Sequence, residues 1–83
     1  MVEERRGRPR RDVFRLGELL PDGALTPIDC LVRNASEIGA LIEVKETAGL
    51  PQTFWLNVEC LRMNKRCVVV RQTKHLFGVT FVV

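Results

Sequence analysis

The sequence predicts an all-β domain of six short antiparallel strands preceded by a flexible arm. Three observations predict it. Apolar residues alternate with polar ones in segment after segment. Turn-forming residues punctuate the chain roughly every ten positions, the rhythm of a small barrel or sandwich. The first eleven residues carry arginine after arginine with no apolar periodicity behind Val2.

The elements follow in order. Residues 1–11 contain Gly7 and Pro9, which disfavour helix, and a run of like charges that repel one another. They form the mobile arm, and residues 12–83 the barrel. Residues 13–20 are apolar-rich and read as a first strand, closed by the turn Pro21-Asp22-Gly23, in which proline presets φ and glycine accepts a positive one. Ile28, Cys30 and Val32 alternate with Asp29, Leu31 and Arg33. Residues 34–39 form a turn, after which Ala40, Ile42 and Val44 mark the buried face of a third strand. Ala48-Gly49-Leu50-Pro51 breaks that strand. Phe54, Leu56 and Val58 alternate as a fourth strand, but Phe54, Val58 and Leu61 also share a helical face, so this segment reads both ways. Cys67 to Val70 is the β-branched centre of a fifth strand. A polar loop at residues 72–75 leads to the last strand, with Phe77, Val79, Phe81 and Val83 on one face.

At 83 residues the chain holds one domain at most. It is 46% hydrophobic and 28% charged, ordinary for a globular protein. No apolar run approaches the roughly 20 residues that span a bilayer, and the charged N-terminus lacks the apolar stretch of a signal peptide. A cytoplasmic location and no membrane partner are expected. Cys30, Cys60 and Cys67 are odd in number, form no Cys-x-x-Cys, and are joined by a lone His75. That disfavours a four-ligand zinc site and makes the thiols reduced apolar fillers in strands. His75 falls in a hairpin loop with no chemical role expected. With no grouped acid–base residues, an enzyme is the weakest option.

The formal net charge is +3, and its distribution is uneven. Arg5, Arg6, Arg8, Arg10, Arg11 and Arg15 face only Glu3, Glu4 and Asp12 in the first fifteen residues. The excess points that end at an anionic partner. Charge runs are commonly just solvated tails. Yet this one uses arginine alone, and arginine pairs bidentately with guanine O6 and N7, stacks on flat π-systems and grips phosphate as a planar fork. Arg-x-x-x-Arg occurs in two frames, Arg6 with Arg10 and Arg11 with Arg15. The turn contributes Asn34-x-Ser36-x-x-Gly39. As a plain Asx-type turn it needs no ligand. As a cradle, Asn34 offers a donor and an acceptor to a base edge, the Ser36 hydroxyl donates to a phosphate oxygen, and Gly39 permits a positive φ or a close backbone approach. Glu37 is expected to face solvent. Trp55 is expected to face outward, opposite Phe54 and Leu56.

The arginine arm followed by Asn34-x-Ser36-x-x-Gly39, with apolar strands on both sides of the turn, resembles the PilZ domain family. The segments Cys67-Val68-Val69-Val70-Arg71 and Phe77-Gly78-Val79-Thr80-Phe81 resemble that family's final strand pair. The likeness runs from residue 5 to residue 83. It implies a PilZ-like split barrel of six antiparallel strands, with no cofactor and no metal, that binds the second messenger cyclic di-GMP. It maps Arg6 and Arg10 to the arm, and Asn34, Ser36 and Gly39 to the turn, with Arg5 and Arg11 as additional candidates. The implied mechanism is ordering of the arm over the ligand, which then presents a surface to a downstream protein partner. Two features depart from the family: Val70 stands where many members carry tryptophan, and the chain ends without the family's C-terminal helix. Two other readings compete. Arg6-Gly7-Arg8-Pro9 is similar to an AT-hook core, which reads the minor groove of A·T-rich DNA. A PilZ barrel blind to the nucleotide would serve as a protein adaptor.

Overall fold

The computed structural model describes residues 11–82. Arg5, Arg6 and Arg10 lie outside them, as does Val83. The described chain is all-β: β1 (Arg11–Pro21), β2 (Ile28–Ala35), β3 (Gly39–Glu43), β4 (Thr53–Val58), β5 (Met63–Gln72) and β6 (Leu76–Phe81). Every pairing is antiparallel, and the strands close into a barrel in the order β1-β2-β3-β6-β5-β4. Among the described residues, no helix is long and apolar enough to cross a membrane.

The alternation legible in the sequence becomes the core. Cys30 and Val32 of β2, Ala40 and Ile42 of β3, Phe54, Leu56 and Val58 of β4, and Phe77 and Val79 of β6 are all buried. Their intervening neighbours turn outward because successive strand side chains alternate between faces. Phe54 and Phe77 meet across the interior with ring centroids 5.5 Å apart and planes tilted by 45°, within the favourable range for an aromatic pair. Val44 extends this face beyond β3, while Ile28 and Phe81 are half-buried at its margins.

The ambiguous fourth segment resolves into two pieces. Residues up to Val58 form the strand, and Glu59–Leu61 forms a single 3-10 turn capped by Arg62 in the left-handed region, at φ 52°. Leu61 is therefore exposed and does not join Phe54 and Val58 in the core. The same turn carries Cys60, which is exposed rather than a strand filler. Cys30 and Cys67 do fill the core, and burial pushes both thiols up to about 12. They stay protonated, and thus poor nucleophiles, at neutral pH.

The turn after β1 is closed by the Ala24 N–H on the Pro21 carbonyl at 3.1 Å. Gly23 takes φ 79° there, while Pro21 ends the strand rather than sitting at the turn's centre. Beside this turn Arg66 grips Asp22 with both ends of its fork, at 2.6 and 2.5 Å. The same guanidinium lies over Trp55, 5.7 Å from its ring centroid. Trp55 faces outward as expected and is 42% exposed.

β1 is paired unevenly. It runs against β2 from Arg11 to Leu19 but against β4 only from Glu18 to Pro21. It also begins at Arg11, opposite Ala35, so the strand takes in a residue expected to belong to the arm.

Past β3, Thr47 is the one buried polar residue among those described. Its hydroxyl donates to the Thr73 carbonyl at 2.6 Å, with the Lys74 carbonyl at 3.1 Å, and accepts from Gln72 Nε2 at 3.2 Å. Its N–H bonds the Lys74 carbonyl at 3.0 Å. The Val44 N–H adds a bond to the His75 carbonyl at 2.8 Å, and His75 Nδ1 lies 2.8 Å from the Lys45 carbonyl. His75 thus ties two loops together, a structural task that its place in a hairpin loop did not suggest.

Candidate functional site

The turn at residues 34–39 is built by its own side chains. The Ser36 N–H donates to the Gly39 carbonyl at 2.8 Å. The Ser36 hydroxyl accepts from the Ile38 N–H at 3.2 Å and reaches the Gly39 carbonyl at a long 3.4 Å. The Ile38 carbonyl in turn accepts from the Phe81 N–H at 2.7 Å and the Thr80 hydroxyl at 3.2 Å. The turn is therefore stitched both across itself and to the end of β6. Ser36 has a definite structural task here, and its long bond across the turn to Gly39 is the weaker of the two its hydroxyl makes.

Gly39 is required for one of the two reasons that the sequence suggested. Its φ is not positive: the described glycines with positive φ are Gly23 and Gly49. Gly39 is buried opposite Thr80, and a Cβ there would run into the carbonyl oxygen of Val79. The close approach is to the neighbouring strand, which allows β6 to clamp the turn.

Asn34 is half-buried, opposite Asp12 on one side and Leu41 on the other. Glu37 is exposed, as expected. Arg11 is exposed and faces Ala35, the residue before Ser36, so the chain enters the barrel beside the turn. Arg15, the other member of the second Arg-x-x-x-Arg frame, is exposed in the same strand, and its Nη1 donates to the Val13 carbonyl at 2.6 Å. Asn34, Ser36, Gly39 and Arg11 are thus brought together. The Arg6–Arg10 frame lies outside the described residues.

The register slips in two places next to the turn, once between Asp12 and Arg15 on β1 and once between Val32 and Asn34 on β2. These bulges carry Phe14, at φ 46°, and Arg33. The Arg33 guanidinium lies over the Phe14 ring, 5.5 Å from its centroid, and Nη1 donates to Glu43 Oε1 at 2.9 Å. Neither residue stood out in the sequence. The one available signal was a cation immediately before Asn34, on the outward row of Asp29, Leu31 and Arg33.

Two hollows elsewhere offer different chemistry. One of about 220 Å³ is ringed by Glu18, Asp29 and Glu59. The other, an open groove of about 650 Å³, has an apolar floor including Leu16 and Leu31, with Asp29, Glu43, Lys45 and His75 among its lining residues. The first is lined by carboxylates, whereas the turn at residues 34–39 has charges of both signs around it: Arg11 opposite Ala35 and Arg33 before Asn34, but also Asp12 opposite Asn34 and Glu37 within the turn. Among the described residues no group of histidines, cysteines and carboxylates is placed to hold a metal ion.

No protein-family model matches this chain, and no curated protein matches it.

Proposed function

We propose that this protein is a non-catalytic receptor for cyclic di-GMP. The dinucleotide docks on the turn at residues 34–39, and the arginines that precede and open β1 close over it. The observation that supports this most is the register of Arg11 opposite Ala35. It brings the start of the barrel, to which the arginine run is covalently joined, alongside the turn bearing Asn34 and Ser36. The resemblance of these segments to the PilZ pattern supplies the ligand. Guanidinium groups read guanine and phosphate, and the Ser36 hydroxyl turns from its long bond with Gly39 to a phosphate oxygen. Engagement of the arm is the signalling event, passed to a downstream protein.

Calorimetric titration with cyclic di-GMP, with GTP as control, tests the reading. Ordering residues on the ligand costs about 1–2 kcal/mol each, so a micromolar affinity, about −8 kcal/mol, is expected. Binding that GTP reproduces, or no heat at two temperatures, overturns it. Arg6→Ala with Arg10→Ala, set against Arg11→Ala with Arg15→Ala, shows which frame holds the ligand: the frame in use loses affinity more than tenfold when removed, as expected for charge-assisted hydrogen bonds.

A further inference from the structure

Phe14 and Arg33 occupy the two bulges beside the turn, and the core needs neither. Phe14 sits at φ 46°, a region that bulky residues rarely adopt because Cβ crowds the backbone. Such a conformation persists only where surrounding structure or function holds it. Burial does not hold it, since the residue is 54% exposed. The ring instead carries the Arg33 guanidinium at 5.5 Å, and Glu43 Oε1 anchors that guanidinium at 2.9 Å. Exposed ion pairs and ring contacts each contribute little to stability, so these bonds explain the guanidinium's fixed position better than they explain the cost of Phe14's backbone. The Arg33 side chain remains 40% exposed and is the covalent neighbour of Asn34. A guanidinium supported by a ring and pinned at its edge by a carboxylate is a preorganised surface for a second flat π-system.

We propose that Phe14 and Arg33 form a stacking shelf for a purine base on the outer face of the barrel, between the turn and Glu43. The inference rests on the reading of that turn as a cyclic di-GMP site. It deepens that reading by assigning a base contact to the barrel itself, from residues outside both Arg-x-x-x-Arg frames and outside the Asn34-x-Ser36-x-x-Gly39 turn. Glu43 serves the shelf by holding the guanidinium in place, and Arg33 neutralises its carboxylate.

The test is titration of the full chain with cyclic di-GMP, followed by calorimetry and by the near-ultraviolet absorbance of guanine, which falls when the base stacks. Arg33→Lys keeps the charge and the reach to Glu43 but loses the plane. It should weaken binding roughly tenfold and reduce the loss of guanine absorbance, with the melting temperature of the free protein unchanged. Phe14→Leu should weaken binding similarly; should that variant not fold, Arg33→Lys alone decides. An Arg33→Lys protein that binds as wild type, with the same absorbance change, removes the shelf and leaves the receptor reading standing. A wild-type protein that does not bind cyclic di-GMP removes the receptor reading and the shelf with it.

Discussion

At the Glu43 end of β3, a threonine hydroxyl is buried and surrounded by partners at 2.6 to 3.2 Å, at the end of β5 and in the connection that follows it. At the Gly39 end, a serine hydroxyl is half-exposed, with one bond at 3.2 Å and another at 3.4 Å. Both ends fasten a loop to the barrel with a β-hydroxyl side chain. The first both donates and accepts internally at short range, because a buried polar group left without a partner is expensive. The second is slack and lies next to Ala35, which faces the exposed Arg11 across the β1–β2 ladder. A hydroxyl bonded tightly in the interior is architecture. One held loosely at the surface, beside Arg11, retains capacity for something from solution.

This contrast can be broken or sharpened by substitution, and the largest effect comes from the link between β3 and β6. Gly39→Ala forces a methyl group toward the Val79 carbonyl and should destabilise the protein by about 3 kcal/mol, the upper range for overpacking a close backbone contact. Urea unfolding near the wild-type midpoint would show that the clamp on the turn yields easily. Thr47→Val should cost about 2 kcal/mol, since it strips partners from buried groups. That is a fall of roughly 10 °C in melting temperature for a domain of this size, with ligand affinity intact. Ser36→Ala should cost about 1 kcal/mol of stability and a larger share of ligand affinity, about 1.5–3 kcal/mol for a bond to a charged oxygen. If Thr47→Val damaged binding, or Ser36→Ala spared it, the division between the two ends would collapse.

The smallest effect belongs to a pair that is well bonded yet exposed. Arg66 hydrogen-bonds Asp22 and holds its carboxyl below the usual 3.8. The folded value is thus depressed relative to the unfolded one. The pair's contribution is complete above 3.8 and is lost as pH falls through the lowered folded value. Asp22→Asn should flatten this part of the acid limb in thermal melts recorded from pH 5 downward, and leave neutral stability nearly untouched because exposed pairs contribute little. A clear loss at neutral pH would mean that Arg66, pinned over Trp55, organises more of the surface than its exposure suggests.

The legibility of the molecule divides along physical lines. Period-two alternation identified the buried faces of β2, β3, β4 and β6, because a barrel interior imposes one rule on every strand. Residues 59–61 were harder, since a short 3-10 turn following a strand gives Leu61 a spacing that also suits a helix. Thr47 was invisible: it sits in a segment read as a strand breaker, and its burial depends on a loop 26 residues further along the chain. The turn at residues 34–39 was legible as a turn from its residue types, but the reason for Gly39 was not, because a neighbouring strand supplies it. Phe14 and Arg33 escaped notice for the same cause. A bulge arises from how two strands align, and neither strand's own pattern records it.

The uneven pairing of β1 has a consequence for how the protein behaves in company. Across residues 11–16 the strand has a described ladder partner only on the β2 side. A bare row of backbone donors and acceptors invites the strand of another molecule, which is how soluble sheets begin to aggregate. Arg11, Asp12 and Arg15 line this stretch, and the kink at Phe14 spoils its flatness, so it makes a poor template for a growing fibre. The arginines suited to gathering an anion therefore also act as gatekeepers of colloidal stability. Neutralising them would trade one phenotype for two, and turbidity at rising concentration would report the second before any ligand was added.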